Sequence, residues 1–322
     1  MSLPPPPGTT PGAVPEGLPY HRIHEAGRPG VARPIAGIVL MLVGFLVIGA
    51  VVAAVALALW FLVTGQPQVP LTELADTEHV TPAGLAFLNV AIASFIPLAM
   101  VAQRSLHGLR PRWLASVRPR IRWRYLLACL GISVVALIAT LVVGAIVPGQ
   151  DGDLSGHANS FTTTTLHFLL VILLLTPFQA AGEEYVFRGY LTQAVGGLFG
   201  NVYVAVLLPA FLFGLAHGAQ SPPVFFDRFA FGVVAGILVV MTGGLEAGIS
   251  MHVLNNFLAY GVALAYGDMS STLNPGAGSW WSIPVTLTQS LVYLGLAVLV
   301  ARKMGLATTT RGRVLEAPQS RV

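Results

Sequence analysis

Six polar residues with the makings of a hydrolytic site lie in a chain otherwise built for lipid. Glu183 and Glu184 are adjacent, and Arg188 follows Glu184 by four positions. His217 closes the apolar run from Phe211 to Gly218, and His252 and Asn256 are four residues apart inside the stretch from Leu245 to Gly267. A carboxylate at membrane depth costs about 2.5 kcal/mol or more to insert, so it is kept where it is paired or functional. Carboxylates, imidazoles and an amide can activate a water, deliver a proton to a leaving amine and donate hydrogen bonds to an oxyanion. The same inventory offers Glu183, His217 and His252 as ligands to a divalent metal such as Zn²⁺, with Glu184 as the base. The residue types alone leave both chemistries open.

These residues must be positioned by helices. Hydrophobic residues make up 55% of the chain and charged residues 9%, with a mean hydropathy of +0.75; a soluble domain carries about 25% charge. The composition therefore describes a polytopic membrane protein. About 20 mostly apolar residues cross a bilayer as a helix, and eight segments qualify: 35–63, 82–103, 125–147, 164–195, 201–217, 223–242, 245–266 and 283–300. The expectation is an all-α protein of about eight transmembrane helices, occupying residues 35–303. It is flanked by a disordered Pro-rich tail over residues 1–34 and a short basic tail over residues 304–322.

Charge gives the orientation, because cytoplasmic loops hold the excess of Lys and Arg. All but two of the 17 basic residues fall on one side of an eight-span chain. They sit in the N-terminal tail, in the arginine-rich connection from Arg104 to Arg124, and from Arg302 onward. The opposite loops hold Glu73, Asp76, Glu78, Asp151, Asp153 and Asp268 and no Lys or Arg. Both termini are expected in the cytoplasm. Orientation and contact with anionic headgroups account for the basic balance, so no nucleic-acid partner is implied. The two remaining basic residues are Arg188, one turn from Glu184, and Arg228, beside Asp227; whether the latter couple joins the site is open. Cys129 is the one cysteine, so neither an intrachain disulfide nor a cysteine cluster is available.

Glu183-Glu184-x-x-x-Arg188, Phe213-x-x-x-His217 and His252-x-x-x-Asn256, in this order on successive helices, resemble the motifs of the CAAX prenyl endopeptidase and Abi family, the CAAX proteases and bacteriocin-processing proteins. The resemblance covers residues 166–266. It implies an intramembrane helical bundle and an endopeptidase acting on a membrane-associated or lipidated protein or peptide. It also implies Glu183 as general base assisted by His217, Glu184 and Arg188 as supports, and His252 with Asn256 as oxyanion donors. Members are often described as metalloproteases; the metal-free glutamate mechanism is the preferred expectation and a zinc site the alternative. A non-catalytic bacteriocin self-immunity or scaffold protein and a small transporter are the other classes. The arginine-rich, almost lysine-free composition points to a bacterial plasma membrane.

Helix length adds a constraint. At about 1.5 Å per residue, residues 201–217 span roughly 25 Å, so His217 meets Glu183 only if the fourth helix runs past the membrane on the cytoplasmic side. A long fourth helix and a water-filled cavity open to the cytoplasm are therefore expected.

Overall fold

The computed structural model describes residues 17–147, 158–218, 221–274, 276 and 278–310. Helices stand at all eight expected segments: α1 (Ala32–Thr64), α2 (Pro82–Ser105), α3 (Trp123–Gly144), α4 (Thr163–Phe199), α5 (Val202–Ala216), α6 (Pro222–Thr242), α7 (Glu246–Tyr266) and α8 (Ser282–Lys303). Among the described residues there is no strand, only the isolated bridges of Pro19 with Thr309 and of Ser116 with Gly244. Six of the eight, all but α5 and α7, are long and apolar enough to cross a membrane. The chain is a multi-pass integral membrane protein. Its outer faces carry exposed large apolar side chains, such as Leu46 and Val51 on α1, Val135 and Ile138 on α3 and Leu174 on α4. In water such a surface would aggregate; in lipid it needs no cover.

The long fourth helix is present. It starts at a reciprocal cap, in which the Thr162 hydroxyl accepts from the Thr165 backbone N–H while Thr165 reaches back to the Thr162 N–H. It runs without a break through Pro177 to Phe199, and Gly200 closes it with φ 63°, a left-handed cap that suits glycine. At 1.5 Å per residue the helix is about 55 Å long, well beyond the roughly 30 Å of a hydrocarbon core. Asn201 then caps α5 by accepting from the backbone N–H groups of Tyr203 and Val204. The two-residue turn sends α5 back along the final turns of α4.

Centrally, α4 packs against α2 and α7, α7 also against α3, and α6 against α5 and α8. The α2 crossing depends on Gly182, because a Cβ there would run into the Ile92 carbonyl. Gly182→Ala must push α4 off α2, an overpacking cost of about 1–3 kcal/mol. A lowered unfolding midpoint in detergent, with activity lost in step because Glu183 is the next residue, is the expected result.

The tail expectation needs correction. Residues 1–16 and 311–322 lie outside the described residues, but residues 18–24 are packed. Tyr20–Ala26 form a 3₁₀ helix with Tyr20 and Ile23 fully buried, seated on the end of α4 where Gly196 leaves room for the His21 carbonyl. The C-terminal segment joins it: the Thr310 N–H donates to the Leu18 carbonyl and the Leu18 N–H to the Thr310 hydroxyl. Prolines and glycines hid this from a compositional reading, because the anchoring apolar residues are only Leu18, Tyr20 and Ile23.

Beneath this strap lies a buried polar chain. His24 Nε2 donates to Gln103 Oε1 at 2.6 Å, Gln103 to Gln193 and Gln193 to the Trp113 carbonyl. His107 stacks on His24 at 3.7 Å between ring centroids and hydrogen-bonds the Tyr190 hydroxyl. Burial pushes His107 down to about 4 and His24 well below the usual imidazole range. In the unfolded chain both titrate near their ordinary value of 6.5, so between pH 6.5 and 4 the unfolded state binds more protons and stability falls as the pH falls. Thermal unfolding in detergent should show a constant midpoint above pH 7 and a decline below 6.5, flattened in His107→Gln.

Candidate active site

Immediately after Glu183 the backbone of α4 widens into a π-helical segment, Glu184–Leu191. Such segments are rare and occur mostly at functional sites. Thr192 compensates locally by donating its hydroxyl to the Phe187 carbonyl at 3.0 Å. The widened turn sets Glu183 and Glu184 toward α7, with Arg188 behind them.

The expected residues converge. Arg188 Nη1 lies 3.0 Å from Glu184 Oε1, and both side chains are essentially excluded from solvent. The guanidinium also stacks over the Phe213 ring of α5 at 4.2 Å, a favourable cation–π placement. His252 on α7 stands between the two carboxylates, with Nδ1 3.0 Å from Glu184 Oε1 and Nε2 3.3 Å from Glu183 Oε2. Phe213 and Phe231 hold its ring edge-on. Gly248, one turn earlier on α7, admits the Glu184 carboxylate: a Cβ there would lie 2.6 Å from Oε2. Gly248→Ala therefore displaces Glu184, and loss of activity with a smaller loss of stability is expected in paired assays of the purified variant.

Gln179 completes the network and was not singled out by sequence reading. Its Nε2 donates to Glu183 Oε1 at 2.7 Å, while its Oε1 accepts from Asn256 Nδ2 at 2.9 Å. The available signal was its place one turn before Glu183 on the same helix face. Asn256 also keeps a second amide hydrogen and lines the cavity. Glu183 Oε2 is buried and has no hydrogen-bond partner among the described residues.

His217, at the end of α5, lines the same cavity as Glu183, His252 and Asn256. Its Nδ1 donates to the Phe213 carbonyl at 2.8 Å. Arg228 lines the cavity as well, 3.8 Å from Asp227. Tyr185, Phe187 and Tyr190 are all buried, and Phe187 meets Phe213 edge-to-face. One expectation changes: no residue of the arginine-rich end lines the cavity. Its rim is formed by Thr77, Thr272 and Asn274, at the end that carries Asp76 and Asp268.

Glu183, His217 and His252, the ligands of the zinc alternative, line one cavity, with Nδ1 of His252 held by Glu184 and Nδ1 of His217 by the Phe213 carbonyl; such Nδ1 contacts also support histidines that bind metal through Nε2. Among the described residues no three His, Cys, Asp or Glu side chains are grouped as metal ligands.

Residues 165–258 match the family model described as type II CAAX prenyl endopeptidase Rce1-like, the stretch that carries every site residue. The match supports a CAAX-type intramembrane protease. The uncharacterized protein YyaK of Bacillus subtilis (strain 168) is 26% identical over 277 residues, covering 82% of this chain and 90% of that protein. No solved structure matches the chain.

Proposed function

We propose that the protein is an intramembrane endopeptidase that hydrolyses a peptide bond in a membrane-associated polypeptide by glutamate-activated water. One observation carries the reading: Glu183 is a buried carboxylate lining a polar cavity, with Oε1 fixed by Gln179 while Oε2 has only the 3.3 Å approach of His252 Nε2 and no formed hydrogen bond. A buried oxygen of this kind is costly unless it takes a ligand from the cavity, and a water is the ligand that hydrolysis requires.

In the proposed reaction the water lies on Glu183 Oε2, in the cavity that the His217 ring also lines. Glu183 takes its proton as the oxygen attacks the scissile carbonyl. The resulting oxyanion is met by the second amide hydrogen of Asn256. His252 Nε2, 3.3 Å from Glu183 Oε2, stands beside the same position. Collapse of the tetrahedral intermediate breaks the C–N bond, and Glu183 passes its proton to the leaving amine. Glu184 and Arg188 orient His252, and Gln179 orients Glu183 and Asn256 together.

The test is cleavage of a membrane-peptide library by detergent-purified protein, read by mass spectrometry, with Glu183→Gln alongside. Elemental analysis and chelator treatment of the same preparation should show no stoichiometric metal and unchanged turnover. Bound metal whose removal stops cleavage would replace this mechanism with a metal-assisted one.

A further inference from the structure

The cavity of about 370 Å³ is lined by the buried Glu183 and His252, by the exposed His217 at the end of α5, and by Thr77, Thr272 and Asn274. Thr77 and Asn274 are exposed, and the Asn274 amide donates to the Thr77 carbonyl, so the connections after α1 and after α7 meet at the mouth. His252 lies six residues from the start of α7 and fourteen from its end. By helical rise the passage down α7 is therefore roughly 20 Å long.

The other end of the molecule is closed. Tyr20, Trp113, Leu114 and Tyr190 are fully buried there. Glu246 at the start of α7 is locked to Arg122 at 2.6 Å in a buried pair. No arginine of that end lines the cavity.

A second cavity, of about 600 Å³, shares Arg228, Asn255, Ala259 and Thr272 with the first. It lies along α7 from Asn255 to Tyr266, with Arg228 contributed by α6. The passage thus widens between these helices toward the rim. Arg228 is the cation of this passage: its contact with Asp227 is long, at 3.8 Å, and its Nε has no hydrogen-bond partner among the described residues.

The arginine-rich end faces the cytoplasm by the distribution of positive charge. We propose that the site is served from the opposite face, so that its substrate is an extracytoplasmic segment of a membrane-anchored polypeptide, with Arg228 receiving a carboxylate of that segment on the way in. The substrate class rests on the protease reading above. The direction of entry and the role of Arg228 do not, and they are tested without proteolysis.

In a Cys129→Ser background, Asn274→Cys marks the rim, Ala259→Cys the passage and Arg120→Cys the closed end. Intact cells and inverted membrane vesicles of a bacterial expression host are treated with a membrane-impermeant maleimide. Asn274→Cys and Ala259→Cys should label in intact cells and Arg120→Cys only in inverted vesicles. Labelling of Ala259→Cys only in inverted vesicles, or from neither side, overturns the proposal.

Two small thiol reagents then probe the charge. An anionic sulfonatoethyl methanethiosulfonate should modify Ala259→Cys several-fold faster than its trimethylammonium counterpart, and Arg228→Gln should erase that preference. Equal rates with Arg228 intact would remove its assigned role. If labelling succeeds but Glu183→Gln leaves cleavage unchanged, the protease reading fails while the entry route stands.

Discussion

Glu183→Gln is expected to lower the rate of peptide cleavage by roughly a hundred- to ten-thousand-fold, the range for loss of a general base, with little change in stability. The amide is nearly isosteric with the carboxylate, and its carbonyl oxygen can still accept from Gln179 Nε2, the 2.7 Å contact that fixes the side chain. What disappears is the oxygen facing the cavity with the charge needed to take a proton. Turnover number should fall while the Michaelis constant changes little, because substrate contacts lie along the passage rather than on this oxygen. Gln179→Ala separates positioning from chemistry: it leaves the base but frees it to rotate, and a loss of about tenfold to a hundredfold is expected. Glu183→Gln that cleaves at the wild-type rate would end the hydrolytic reading of this site.

Much of this arrangement was legible because its signals are local. Glu184 and Arg188 sit four apart, and a helix brings such residues together. The length of α4 followed from an unbroken helical pattern and from the need to let the shorter α5 carry His217 back to Glu183. Long-range geometry was less accessible. His252 lies 68 positions from Glu184, and only the packing of α7 on α4 through Gly248 shows that its ring bridges both carboxylates. An oxyanion donor read from its spacing to Asn256 therefore becomes, in the resting site, a link between two acids. The cavity lining runs toward the end that carries Asp76 and Asp268, while Tyr20, Trp113 and Leu114 are fully buried at the arginine-rich end; their segments look like tail and loop in the sequence, so this packing was not legible there. Glu246 escaped notice because its partner, Arg122, is 124 positions away and resembles one more loop arginine.

Arg188→Met is expected to destabilise the fold by about 3–5 kcal/mol, the cost of breaking a buried ion pair by removing one partner. Arg188 is 1% exposed and Glu184 is fully buried, so deletion of the guanidinium leaves a carboxylate that water cannot reach. One effect adds to the loss: the cation–π contact with Phe213 disappears. Glu184→Gln in the same chain should recover part of the stability, because the orphaned charge is then gone. A coupling of at least 2 kcal/mol between the two positions is the expected outcome of the double-mutant cycle. Activity should not recover with stability, since His252 loses the carboxylate that fixes its Nδ1–H and hence the direction of Nε2. That dissociation distinguishes a pair that positions the histidine from one that only holds helices together. If the double variant regained both stability and cleavage, Glu184 and Arg188 would have no role in orienting His252. Unfolding of Arg188→Met within 1 kcal/mol of the wild type would instead mean that the pair is hydrated in the native protein.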